Sequence, residues 1–109
     1  MMKIVIIGHS ISIKNRKYIV NNIPKRFNVT YKLEYYLSKK DSIMQFYRLI
    51  DKSDIVIALS KNNKYDPITL CELIYAKKCD KCIFEVDITH PDIWLLNNLL
   101  RINEYDKEV

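Results

Sequence analysis

At 109 residues, 49% of them hydrophobic and with a formal charge of +5, the chain has enough apolar side chain for one core and too little length for two, so a single domain over 1–109 is expected. One glycine and three prolines argue against a turn-rich all-β architecture, which needs residues at positive φ at many tight corners. The basic residues bunch near the front (Lys14, Arg16, Lys17, Lys25 and Arg26) and recur later, but they lack the Arg/aromatic interleaving of a binding stripe, which reads as solvated surface and argues against nucleic acid as a partner.

The elements follow in chain order. "KIVIIG" (Lys3 to Gly8) is a continuous β-branched run, the pattern of a strand buried on both faces and central in a parallel sheet. A basic segment from about Ser12 to Phe27 carries Ile13, Tyr18, Ile19 and Ile23 at roughly helical intervals, and Pro24 marks its end. "NVTYKLEYYL" alternates, with Val29, Tyr31, Leu33 and Tyr35 on one face, as an outer strand does. In "KKDSIMQFYRLIDKSD", Ile43, Phe46, Tyr47 and Ile50 fall at i, i+3, i+4 and i+7, an amphipathic helix capped by Asp41 or Ser42. "DIVIALS" is a second strand buried on both faces, and the polar loop "KNNKY" follows it. Asp66 and Pro67 open a helix that runs to about Lys78, because Asp accepts from free N–H groups and Pro has none to satisfy. "KCIFEVD" is the fourth strand. After His90-Pro91-Asp92 a last helix carries Trp94, Leu95, Leu99 and Ile102, and the tail "EYDKEV" frays.

Alternating strands and helices of this kind make an α/β fold. The expected form is a small Rossmann-like (flavodoxin-like) three-layer sandwich with a four-stranded parallel sheet. The three cysteines, Cys71, Cys79 and Cys82, are an odd number, which fits free thiols in a reducing cytoplasm. "CDKC" has a CxxC spacing, yet no second Cys/His pair accompanies it, and His9 and His90 are too scattered to complete a zinc site. Neither a metal nor a cofactor is expected. The longest apolar run is far short of a membrane span, so no membrane partner is expected either.

In parallel sheets of this type ligands bind beyond the carboxyl ends of the strands, near the switch in strand order. That rule collects Gly8, His9 and Ser10 after strand one, Tyr35 and Tyr36 after strand two, Ser60 after strand three and Asp87 after strand four. Gly8 is the one glycine, placed where a backbone turns sharply or approaches a ligand closely. Glu72, in the second turn of the helix above strand three, is a carboxylate beside Leu73 and Ala76 at the edge of burial, where such a group is partnered or functional.

"DPITLCELIYA" resembles the D-x-G-T-x-x-E-L-G-x-A segment of the nucleoside 2-deoxyribosyltransferase-like family, which includes N-glycosidases acting on deoxynucleoside monophosphates. Asp66, Thr69, Glu72, Leu73 and Ala76 match it in identity and spacing, and Asp54 in "IDKSDIVIALS" is similar to the acid that precedes the family's third strand. The family's two glycines in the segment are Ile68 and Ile74 here. The resemblance implies a retaining mechanism in which Glu72 attacks the anomeric carbon of a (deoxy)ribosyl group, with Asp66 orienting the nucleophile or contacting the sugar. It also implies a nucleoside or nucleotide substrate held by the residues of the rim. Asp41 or Asp54 would assist base protonation, Ser10 and the helix start near Thr69 would suit a 5′-phosphate, and a homodimer would place Asn97 or Asn98 of the late helix in the neighbouring site. The other expectation left open is a non-catalytic Rossmann-like module that binds a nucleotide or a protein.

Overall fold

The computed structural model describes residues 2–8, 13–23, 25, 27–30 and 47–89, with the side chains of 13–16 and 30 left aside. Strands β1 (Lys3–Ile7), β2 (Asn28–Thr30), β3 (Ile55–Ser60) and β4 (Cys82–Asp87) form one four-stranded sheet in the order β2-β1-β3-β4. Every neighbouring pair is parallel. Helices α1 (Ile13–Asn22) and α3 (Pro67–Lys78) accompany them, and residues 47–52 are helical and form the described part of α2. The second half of the expected outer strand, the front of α2 and the last helix lie outside the described residues.

The sequence pattern accounts for the layers. In β1 and β3, consecutive apolar residues are buried on both faces, and period-two alternation sorts them into two cores. Ile4, Ile6, Ile55, Ile57, Leu59, Phe84 and Val86 pack with Ile19 of α1, with Ile23 just after that helix and with Phe27. Val5, Ile7, Val56 and Ala58 pack on the other side with Ile50 of α2 and with Leu73 and Ala76 of α3. A helix layer on each face of a parallel sheet is the three-layer α/β sandwich that the alternation of strands and helices implies. Each fully buried isoleucine contributes about 1.5–3 kcal/mol of transfer free energy.

The two outer strands also follow from composition. Among the described residues, β2 pairs only with β1 and β4 only with β3, and β4 exposes Glu85 in a run that is otherwise mostly apolar. The chain departs from β1 to one side and from β3 to the other, so the switch in strand order lies between β1 and β3.

Scarcity of glycine is met by other residues. Among the described residues, three non-glycine residues stand at positive φ: Asn62 (53°), Asn63 (60°) and Asp80 (55°). Asn and Asp tolerate this region because their short polar side chains bond locally. Asp80 closes α3: its N–H donates to Lys77 O and the Lys81 N–H donates to Ala76 O, both at 3.2 Å. Those are the two bonds of a Schellman ending, with Asp in glycine's usual place. Gly8 is not at positive φ.

Candidate functional site

The carboxyl-terminal rim of the sheet assembles part of the expected set. Gly8 ends β1 and is buried. Ser60 ends β3 at 6% exposure and sits in register with Asp87 at the end of β4. Above them, Asp66 caps α3 and Glu72 lies in its second turn.

The start of α3 is built by two bonds from one residue. The Thr69 N–H donates to Asp66 Oδ1 at 2.9 Å, and the Thr69 hydroxyl donates to Asp66 Oδ2 at 2.6 Å. Pro67 occupies the first turn, where it sacrifices no hydrogen bond. The donors of Thr69 that a 5′-phosphate would meet at this helix start are therefore held by a carboxylate of the chain itself. A phosphate brought to the same point would face the Asp66 charge.

Glu72 is buried more deeply than its boundary position in the sequence implies, at 1% exposure. The residues of α3 that face the sheet are Thr69, Glu72, Leu73 and Ala76, spaced i, i+3, i+4 and i+7 as one helical stripe. Two of those four are polar, whereas Leu70 and Ile74 face outward at 45% and 46% exposure. Side-chain polarity is thus partly inverted on this helix. A carboxylate placed on the core-facing stripe loses hydration, a cost that a purely structural helix would avoid with an apolar residue.

Tyr47 of α2 is the neighbour that the sequence did not single out. Its ring stacks on Tyr75 of α3 with centroids 4.3 Å apart and planes 8° from parallel. Burial pushes its phenol above the ordinary range, and the nearby charges of Cys71 and Glu72 push it further. In the sequence Tyr47 falls on the apolar face of an amphipathic helix, so it reads as packing.

A cleft of about 250 Å³ opens beside this rim, lined by Ser60, Asn63, Tyr65, Glu85 and Asp87. The Tyr65 hydroxyl donates to Glu85 Oε1 at 2.7 Å. Burial first, and then that bond, push its phenol well above the ordinary range. Lys61 and Lys64 exchange both backbone bonds at 3.0 Å across Asn62 and Asn63, and two successive positive-φ residues are the signature of a type I′ turn. The turn is clipped to β4. The Asn63 N–H donates to Asp87 Oδ2 at 2.8 Å, the Thr89 N–H donates to Asp87 Oδ1 at 2.8 Å, and the Thr89 hydroxyl donates to the same oxygen. Burial alone would raise the Asp87 carboxyl, but these donors outweigh it and hold it below the usual carboxylate range. Asp87 is therefore a strand-end clip, as its position at the end of "KCIFEVD" allows.

Asp54 is not part of the rim. It precedes β3 at the opposite end of the sheet, where its Oδ2 accepts from the Lys3 N–H at 2.8 Å and its own N–H donates to Lys3 O at 2.8 Å. β3 runs its full length between Asp54 and Ser60. His9, Ser10, Tyr35 and Asn98 lie outside the described residues. The CxxC cysteines are not joined in a disulfide and face different layers: Cys82 packs against the α1-side core, while Cys79 Sγ lies 3.9 Å from Asp51 of α2. Among the described residues there is no cluster of three metal-ligating side chains, and no helix is long and apolar enough to cross a membrane.

No family model, curated protein or solved structure matches the chain.

Proposed function

We propose that the protein cleaves the N-glycosidic bond of a nucleoside or nucleoside 5′-monophosphate, or transfers its deoxyribosyl group, with Glu72 as nucleophile. The observation that carries this reading is the burial of a carboxylate, at 1% exposure, on the sheet-facing stripe of α3. Its helix packs against both β1 and β3, the pair between which the strand order switches, and ligands bind beyond the carboxyl ends of the strands at such a switch.

In the proposed reaction a Glu72 oxygen bonds to C1′ of the sugar as the C1′–N bond breaks, and the departing base takes up a proton. Water or an acceptor base then attacks C1′, and the Glu72 carboxylate is released. Asp66 acts through α3: by holding Thr69 it fixes the first turn and with it the direction from which Glu72 projects. Because the Thr69 donors are committed to Asp66, a 5′-phosphate needs donors from elsewhere on the rim. A cytoplasmic location and a homodimeric assembly belong to the same proposal, and light scattering tests the latter: a monomer at all working concentrations removes the shared site.

The test is release of free base from deoxynucleosides and their monophosphates, separated by chromatography, for the unsubstituted protein and for Glu72→Gln. Release by the first and not by the second supports the nucleophile. A second reading, a non-catalytic nucleotide-binding module, draws on Ile68. This half-buried residue in the first turn of α3 occupies the place of the family's glycine and narrows approach to the helix start. Calorimetric binding of a nucleotide with no base release from either protein selects that reading. Ile74 does not bear on it, since its side chain is 46% exposed.

A further inference from the structure

The cleft lined by Ser60, Asn63, Tyr65, Glu85 and Asp87 is a cavity that the reaction proposed for Glu72 does not use. Strand register places its acids. Glu85 pairs with Ala58 and Asp87 with Ser60, and Ala58 belongs to the α3-side core, so alternation puts Ser60, Glu85 and Asp87 on the α3 side of the sheet. On that side Val56 and Ala58 are fully covered, but Glu85 is exposed and the cavity of about 250 Å³ opens beside it. That volume is below the roughly 300–1,000 Å³ of sites for drug-sized molecules and suits one small ligand.

The chemistry of the walls is one-sided. The Tyr65 hydroxyl is spent on Glu85 Oε1 at 2.7 Å. The N–H groups of Asn63 and Thr89 and the Thr89 hydroxyl are spent on Asp87. What remains for a ligand is mainly acceptor: the second oxygen of Glu85, the outer lone pairs of Asp87 and the Tyr65 oxygen. Asp87 is also a charge at 6% exposure, held ionised by donors that are themselves neutral. Among the described residues neither Glu85 nor Asp87 forms an ion pair, although Lys61 and Lys64 bracket the same turn. Buried carboxylates ordinarily have a cationic partner, and here a cleft with an aromatic wall lies beside one. Among the described residues no third metal-ligating side chain joins the two acids, so the lining suits a cation that brings its own N–H donors.

We propose that the cleft binds a small organic cation with N–H donors, an alkylammonium or a guanidinium, on the Glu85 carboxylate, beside the charge of Asp87 and against the Tyr65 ring. Its N–H groups meet the acceptors that the chain leaves over, and the ring face attracts the same charge. An anion would meet two carboxylates, and a neutral diol would leave both charges uncompensated. The site is independent of Glu72 and of the reaction proposed for it. Asp87 keeps its place as the clip of the turn and adds its field.

Calorimetric titration of the full chain with propylammonium and methylguanidinium chlorides tests this, with ribose and inorganic phosphate as the neutral and anionic arms. The ionic strength is held at about 0.15 M, where exposed charges more than about 8 Å apart are largely screened. The expected result is saturable binding of at least one of the two cations and of neither control. Glu85→Gln, a substitution of the same shape at an exposed residue, should weaken that binding by about tenfold with an unchanged melting temperature. Tyr65→Phe keeps the ring and releases Glu85 Oε1, so its affinity should equal or exceed that of the unsubstituted protein. No saturable binding of either cation, equal binding of ribose or phosphate, an affinity unchanged in Glu85→Gln or a loss in Tyr65→Phe each overturns the proposal.

Discussion

At the amino-terminal end of the sheet the polar side chains fasten one element to another. Asp54 ties the start of β3 to the start of β1, and Lys81 Nζ, half-buried before β4, donates to the carbonyls of Asp51 and Ser53 at 2.9 Å each, closing the end of α2. At the carboxyl-terminal end Asp66 and Asp87 do similar work for α3 and for the Asn62-Asn63 turn, but Glu72 is added to them, in the core and away from any helix end. The difference teaches how to separate framework acids from functional ones in a small domain. A framework acid sits at an element's terminus and takes backbone N–H groups. An acid buried in mid-helix performs no such service, and its cost has to be met by activity or by a dedicated partner.

The largest expected effect follows from that contrast. Glu72→Gln should reduce base release by about 10³-fold or more, roughly 4 kcal/mol of transition-state stabilisation. It should leave the melting temperature unchanged or higher, because a buried charge is replaced by a neutral group of the same shape. A loss of stability above about 2 kcal/mol with no loss of activity would make Glu72 another framework acid and erase the distinction between the two ends.

Asp87→Asn probes a framework acid on the functional side. Asparagine retains one acceptor of two, so the clip on Asn63 and Thr89 weakens by about 1–2 kcal/mol at neutral pH. The native carboxyl titrates below the ordinary value of 3.8. Its contribution is therefore complete above that value and is lost as pH falls through the depressed native one. Thermal melts of the two proteins should differ at pH 7 and converge in strong acid, and a difference that persists there would show that the clip does not depend on charge.

Much of the fold was legible before any coordinates. β-branched runs in β1 and β3 announced strands buried on both faces, and Asp66-Pro67 announced the start of α3 to the residue. What stayed hidden has physical reasons. The stripe of α3 that meets the sheet contains Thr69 and Glu72, so hydrophobic periodicity understates the burial of both. Tyr47 satisfies an amphipathic pattern, which does not say that its ring stacks on Tyr75 of another helix. Asp54 entered the candidate set through the resemblance to an acid preceding a third strand, whereas a residue just before a strand stands at its amino-terminal end. The left-handed Asn62-Asn63 turn was visible as a polar loop, but its clip to Asp87 joins residues 24 apart.

Lys81→Met keeps the aliphatic stem and deletes the two bonds to Asp51 O and Ser53 O. About 1 kcal/mol of stability should go with them, a fall of roughly 4–8 °C in a domain of this size. Base release at a temperature where both proteins are folded should be unaffected. A change in KM would mean that the end of α2 communicates with Glu72.

Asp54→Ala should have the smallest effect and is the sharpest check on geography. Asp54 is exposed, so its bond to the Lys3 N–H competes with water and contributes less than about 1 kcal/mol. Its backbone N–H keeps its own bond to Lys3 O after the substitution, so the register of β1 on β3 survives. If resemblance to an acid preceding a third strand carried function here, the variant would lose base release while melting normally. The expected outcome is the reverse: a slightly lower melting temperature with unchanged kcat and KM. A tenfold loss of activity in Asp54→Ala would place a working residue at the amino-terminal end and break the division between the two ends of the sheet.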